Sequence, residues 1–230
     1  MGVEITDVTV SEAEFGEMST FVREYLAASV ENEDGGGRMR WYPWHSAEYR
    51  HNHVLNVVDL ATHLAAEEGA DVAVTRVAAL FHDVAKLEAE QDEHAIAGAR
   101  VAREYLRTRG EYPESFVDQV CRAVENHSYQ GDIADLALET QCLIEADLLD
   151  KIGANGVALM LLRMGYESRT HMDATEMIDR VLERGREAAR RVRTDTGHTE
   201  VKRRLKRTRW FREWLEGEVA QVGADPLVDE

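Results

Sequence analysis

The sequence is short of residues that stop helices or cross-link a chain. It has three prolines, Pro43, Pro113 and Pro226, and two cysteines, Cys121 and Cys142, which lack the Cys-x-x-Cys spacing of metal and redox sites. No apolar run approaches the roughly 20 residues of a membrane-spanning helix. The N-terminus carries acids instead of a basic segment followed by an apolar core, so we expect no secretory signal. These absences indicate a soluble protein of the reducing cytoplasm.

Strand-like alternation of useful length is also missing, as are the glycine-rich loops of dinucleotide- and ATP-binding folds. Nearly every long segment instead repeats apolar residues at three- and four-residue spacing. The 230 residues suffice for one domain with a helical appendage. We therefore predict an all-α fold.

Lysine is scarce, with 4 of the 27 basic residues, and the other 23 are arginine. The 44 acidic residues leave a formal net charge of -17. Such a surface repels the phosphate backbone, so nucleic acid is a disfavoured partner. An acid-rich, lysine-poor composition is typical of halophilic proteins, in which salt screens the self-repulsion. A halophilic source is our hypothesis.

The apolar spacing and its interruptions predict the order of the helices. Ser11 and Glu14 form a capping-box pattern at the first one. We predict helices over 11–29, 46–68, 72–86, 92–109, 114–127, 135–151 and 157–164, with two charged helices over 172–222 divided near Thr196-Gly197. Residues 1–40 would hold the first helix and a glycine-rich turn, and 41–170 the core. Residues 171–230 would complete the same domain or form an oligomerisation extension, which leaves a homodimer open.

The segment from Ala78 to Lys86 combines apolar residues with charge. Small and apolar side chains lead into the adjacent His82 and Asp83, and Lys86 follows within one helical turn. A carboxylate in an apolar environment must be paired, neutralised or bound to a metal. The alternative is that His82 and Asp83 cap a helix end or face solvent.

Two more candidate ligands, His53 and Asp147, lie in separate apolar segments. His53 is followed by Val54, Val57 and Val58 at helical spacing, and Asp147 lies among leucines, isoleucine and alanine. Imidazole nitrogens and carboxylate oxygens suit Mn, Ni, Co, Fe, Mg or Zn, with positions left for water and substrate. The pattern predicts a divalent metal site without selecting the metal.

The ordered set resembles a known family. The motifs His53-x-x-Asn56-Val57, Phe81-His82-Asp83-x-x-Lys86 and Glu145-Ala146-Asp147 resemble the H…HD…D order of the HD-domain metal-dependent phosphohydrolases. The resemblance covers about residues 45–165. The block from Glu145 to Gly156 looks like a subgroup of small stand-alone HD hydrolases, some of which are nucleotide pyrophosphohydrolases. Asn56 departs from the pattern, because related proteins often carry arginine there.

The resemblance implies roles for individual residues. The metal ligands would be His53, His82, Asp83 and Asp147. Lys86 would supply positive charge to substrate oxygens or pair with a carboxylate. His94 and His127 would hold a second metal, bind phosphate or protonate the leaving group, as they do in different HD enzymes. The resemblance thus implies a catalytic set of Asp83, Lys86, His94, His127, Asp150 and Lys151.

Asp150 and Lys151 are predicted to lie about one turn beyond Asp147 and on its face of the helix. Asp150 would orient a ligand histidine or the nucleophilic water. Lys151 would face phosphate or pair with Asp147 or Asp150.

The resemblance implies an HD-domain helical bundle with a C-terminal helical extension. Its expected activity is hydrolysis of a phosphoester or phosphoanhydride bond in a small nucleotide by metal-activated water, with manganese among the suitable ions. A nucleoside monophosphate phosphatase or a cyclic-nucleotide phosphodiesterase is an alternative within the class. Two alternatives lie outside the class. One is a di-iron oxygenase, which would need His94 and His127 as ligands. The other is a non-catalytic, metal-stabilised module that binds nucleotides or a partner.

The remaining histidines are not assigned to the site. His51 points to the opposite helix side from His53. His45 and His63 are interpreted as structural or solvated, and His171 and His198 lie in the polar tail. The basic, aromatic tail around Arg203, Arg207 and Trp210 is interpreted as a salt-bridged helix pair, in preference to a nucleotide- or RNA-facing surface or a docking arm.

Overall fold

The computed structural model describes residues 8–31, 46–89, 93–166 and 173–220. Within these ranges all regular secondary structure is helical, so the prediction of an all-α fold is confirmed. The helices are α1 (Glu12–Glu31), α2 (Ala47–Glu68), α3 (Val72–Phe81), α4 (His94–Arg109), α5 (Glu114–Asn126), α6 (Leu138–Asp150), α7 (Gly153–Tyr166), α8 (Ala174–Arg191) and α9 (Asp195–Ala220). None of the helices in the described ranges is long and apolar enough to cross a membrane.

Side-chain caps fix the starts of the helices that precede the site. At α1 the Glu14 amide donates to Ser11 Oγ (3.3 Å) and the Ser11 amide to Glu14 Oε2 (2.8 Å), which is the predicted capping box. At α3 the Val74 amide donates to Asp71 Oδ1 (3.1 Å). Gly69 ends α2 with a φ of 75°, a left-handed conformation that favours glycine.

The chain divides into two compact units, Met1–Asp147 and Leu148–Glu230. In the first unit α3 contacts α1, α2, α4 and α5. Its Val77, Leu80 and Phe81 are fully buried, so α3 forms the centre of this core. In the second unit α7, α8 and α9 contact one another. The predicted boundaries at 40 and 170, and an oligomerisation role for the tail, stay predictions.

The predicted helix over 72–86 is too long, because α3 ends at Phe81. His82 is its C-cap. Residues 82–88 then form successive turns in which an amide donates to the carbonyl three residues earlier, as Lys86 N does to Asp83 O (3.0 Å). The apolar pattern continues through the turn because Val84, Ala85 and Leu87 are buried there as well. Periodicity alone therefore does not show where the helix stops.

Two other predicted boundaries are wrong in the second unit. The segment Gly153–Gly156 starts α7, where a Cβ on Gly156 would lie 2.5 Å from Lys151 O, so glycine permits this close approach. The division of the tail lies at Val192–Thr194 and not at Thr196-Gly197. Thr194 Oγ1 accepts from the Gly197 amide (2.9 Å), which is a capping contact for α9.

Candidate metal centre

Four of the predicted metal ligands meet in the first unit. His53 comes from α2, Asp147 from α6, and His82 and Asp83 from the end of α3 and the turn after it. His53 Nε2 lies 3.3 Å from Asp147 Oδ1, and Asp83 Oδ2 lies 3.7 Å from both His53 Nε2 and His82 Nε2. Two donor atoms bound to one ion at about 2.0–2.2 Å lie at most about 4.4 Å apart. These separations therefore fit a shared metal ion.

The hydrogen bonding of His82 also fits a metal. Its Nδ1 lies 2.7 Å from Ala79 O, a contact that requires a proton on Nδ1 and leaves a lone pair on Nε2. His82 Nε2 is buried and has no hydrogen-bond partner among the described residues. Burial lowers the pKa of His82 to about 3, so the imidazole is neutral, as a metal ligand must be.

A second cluster lies on the other oxygen of Asp83. Asp83 Oδ1 is 3.5 Å from His94 Nε2, 3.6 Å from His127 Nε2 and 3.8 Å from Lys86 Nζ. Lys86 Nζ lies 3.0 Å from His94 Nε2, which lies 3.1 Å from His127 Nε2. All four residues are buried. One carboxylate thus joins two groups of imidazoles.

The local structure orients the two histidines of the second cluster. His94 is the first residue of α4, and His127 is the C-cap of α5. His127 Nδ1 lies 2.7 Å from Val124 O, so Nδ1 carries a proton and Nε2 faces Asp83. Both side chains therefore enter the cluster from helix ends.

Arg50 is a site residue that the sequence reasoning missed. Its Nη1 lies 3.2 Å from Asp83 Oδ2, and only 8% of the residue is exposed. Arg50 precedes His53 by three positions on α2, which places both on one helix face. That spacing was the available signal. Asn56, where related proteins often carry arginine, is exposed.

The surrounding groups keep Asp83 ionised. Burial alone would raise the pKa of this carboxyl, because it disfavours the charged form. Lys86, His127 and Arg50 oppose burial and hold the pKa of Asp83 well below its usual range. The carboxylate is therefore available as an anionic ligand.

Asp150 and Lys151 belong to the second unit, where Asp150 Oδ1 accepts from Asn155 Nδ2 (2.7 Å); their catalytic roles stay predictions. His51 Nε2 contacts Ser19 Oγ (3.1 Å), and His63 is exposed. His45 and His171 lie outside the described residues, and His198 is half-buried in α9.

The two cysteines are buried free thiols. Burial raises the pKa of Cys121 to about 11 and that of Cys142 to about 12. Neither is therefore a reactive thiolate near neutral pH.

The HD domain family matches residues 50–152, a range that includes His53, His82, Asp83 and Asp147. Residues 50–152 form an HD domain. This match confirms the predicted family for that range and supports an HD-type metal-dependent hydrolase. The match and the clustered His and Asp residues indicate a divalent metal ion without identifying the element.

Solved structures of the HD superfamily share the fold. An HD-superfamily hydrolase from Bacillus thuringiensis has a TM-score of 0.67 and 21% identity, over 91% of this chain and 98% of that one. A predicted HD-superfamily hydrolase from an uncultured Thermotogales bacterium has a TM-score of 0.57 and 23% identity, over 90% and 92%. Bacillus subtilis YpgQ in complex with ADP has a TM-score of 0.57 and 19% identity, over 87% and 97%.

Two curated proteins match shorter stretches. The tRNA (cytidine(56)-2'-O)-methyltransferase of Thermoplasma volcanium is 30% identical over 90 residues, which are 39% of this chain and 24% of that protein. Ribonuclease Y of Chloroflexus aurantiacus is 33% identical over 99 residues, or 42% and 17%. The chain thus spans a quarter or less of the length of these relatives, and their whole activities are not carried over.

Proposed function

We propose that this HD-domain protein hydrolyses a phosphoester or phosphoanhydride bond in a small nucleotide, with one divalent metal ion. The proposed ligands are His53, His82, Asp83 and Asp147. The observation that carries the proposal is the division of the Asp83 carboxylate, with one oxygen facing His53 and His82 and the other facing His94 and His127.

The first cluster gives the proposal its metal site. It combines two buried imidazoles with the buried carboxylate of Asp83 and the half-buried carboxylate of Asp147, and these are donor types that hold a divalent ion. A divalent cation bound there would polarise a phosphoryl oxygen and lower the pKa of water. Arg50 holds Asp83 Oδ2 in place through a buried contact.

The second cluster supplies donors for the substrate. Lys86 provides an ammonium that can contact phosphoryl oxygens, which is the electrostatic stabilisation that phosphoryl transfer needs. His94 and His127 can bind the same oxygens or give a proton to the leaving group. Phosphate would therefore be bound on the Oδ1 side of Asp83.

The contact between Lys86 and His94 bears on the number of metals. Asp83, His94 and His127 lie close enough together to hold a second ion. A ring nitrogen has one lone pair, so His94 Nε2 accepts a hydrogen bond from the Lys86 ammonium or ligates a metal, but not both. We propose that Lys86 takes the place of a second metal, whereas the di-iron oxygenase alternative requires His94 to leave Lys86 and act as a ligand.

A nucleotide substrate is supported by the resemblance to nucleotide pyrophosphohydrolases. One structural neighbour, Bacillus subtilis YpgQ, was solved in complex with ADP. The net charge of -17 disfavours a long nucleic-acid backbone more strongly than a small nucleotide. A cytoplasmic location and a homodimer stay predictions.

The test is a substrate panel with Mn, Mg, Co or Ni added to the purified chain. The panel holds nucleoside mono-, di- and triphosphates, cyclic nucleotides and an RNA oligonucleotide, and released phosphate and pyrophosphate are measured. We expect the unmodified chain to hydrolyse a nucleotide and His82→Ala to have lost this activity. His63→Ala is the control, because His63 is exposed on α2, and it should keep the activity. No turnover of any phosphorylated compound with any of these metals would refute the proposal.

A further inference from the structure

A cavity of about 320 Å³ lies in the second unit and is lined by residues of α7 and α8. Pockets for small molecules typically measure about 300–1,000 Å³, so this one suits a small ligand. Met160 and Met177 form an apolar part of its wall and pack with Val181. None of the lining residues belongs to the candidate metal centre.

Three arginines contribute a basic wall to this cavity. Arg163 comes from α7, while Arg180 and Arg184 are four residues apart on α8. Like charges at this spacing destabilise a helix. Burial lowers the pKa of Arg184, and the cations of Arg163 and Arg180 lower it further, while Glu187 opposes them. Three guanidinium groups on one wall offer charge-assisted hydrogen bonds to an anion.

Two glutamates, Glu183 and Glu187, line the cavity as well. They are also four residues apart on α8, so they form a row beside the arginine row. Carboxylates accept hydrogen bonds from hydroxyl groups. The planar guanidinium groups match the oxygens of phosphate in a bidentate manner. The methionines offer an apolar, polarisable surface to a ring.

We propose that this cavity binds a small phosphorylated sugar unit, with phosphate against the arginines and sugar hydroxyls against the glutamates. The charges and the volume together define this chemistry. A plain phosphate ion would leave the glutamate row without a role, and a polyanion would be repelled by it. The proposal does not depend on the proposed hydrolase activity.

Calorimetric titration of the full-length, metal-loaded protein with ribose 5-phosphate tests the proposal. Arg184→Met and Arg163→Met should each weaken binding about tenfold or more, because each removes a charge-assisted contact to phosphate. Arg186→Met is the matched control, since Arg186 is exposed on α8 and does not line the cavity. It should bind like the unmodified chain.

Two further arms separate this cavity from the metal centre and from a simple anion site. Asp147→Asn should keep its affinity for ribose 5-phosphate, and inorganic phosphate should bind at least tenfold more weakly. No binding, unchanged affinity in both arginine variants, loss in Asp147→Asn alone, or equal affinity for inorganic phosphate would each overturn the proposal. Melting curves verify folding, and the two arginine variants on different helices guard against failure of one of them.

Discussion

The two oxygens of the Asp83 carboxylate differ in the charged groups that surround them. On the Oδ2 side lie the imidazoles of His53 and His82 and the carboxylate of Asp147, which is 3.3 Å from His53 Nε2. On the Oδ1 side the ammonium of Lys86 lies beside the imidazoles of His94 and His127. We infer that the metal ion binds on the first side, where the donor atoms of four residues converge, and that Lys86 supplies the positive charge on the second side.

Removal of His82 tests the first side and should have the largest effect. His82→Ala deletes a buried nitrogen that faces the other proposed ligands, so bound metal should be lost and turnover should fall by more than about 100-fold. Elemental analysis and steady-state kinetics measure both. His63→Ala should leave both unchanged. If His82→Ala kept its metal and its rate, the proposed centre would be wrong.

Removal of His127 tests the second side, because it should lower turnover without the loss of metal that is expected on the first side. His127→Gln should lower kcat by about 10²–10⁴, the usual contribution of a general acid or base, while the metal content stays at the level of the unmodified chain. His94→Gln should behave in the same way. A loss of metal equal to that of His82→Ala would instead make these histidines metal ligands.

The sequence predicted the set that forms the two clusters because motif order and helical spacing are local properties. His53, His82, Asp83 and Asp147 could be chosen from their apolar surroundings and from the resemblance to the HD family. The capping box at Ser11 was predictable for the same reason, since both partners lie within one turn.

The arrangement around Asp83 was not predictable, because it depends on how separate helices pack. Arg50 meets Asp83 across 33 positions of sequence. Its spacing of three residues from His53 indicates a shared helix face but does not identify Asp83 as its partner. The end of α3 at Phe81 was hidden by the apolar residues that follow it. The contact of Lys86 with His94 needed the turn after α3 and the start of α4 to be placed together.

Replacement of Arg50 should have the smaller effect and tests whether Arg50 stabilises the first side. Arg50→Ala removes a buried partner of Asp83 and should lower the free energy of unfolding by about 1–3 kcal/mol. Urea unfolding of metal-free protein measures it. Arg109→Ala is the control, because the exposed Arg109 pairs with the exposed Glu17 and such pairs contribute about 0–1 kcal/mol. Equal losses in both variants would argue against a structural role for Arg50.

The number of metal ions per chain tests the central claim most directly. Equilibrium dialysis against Mn²⁺ followed by elemental analysis should give one ion for the unmodified chain. Lys86→Met keeps an unbranched side chain one atom shorter and removes its charge. It should raise the number towards two, because His94 Nε2 no longer accepts a hydrogen bond from the ammonium. Two ions in the unmodified chain, or no change in Lys86→Met, would contradict the claim that Lys86 takes the place of a second metal.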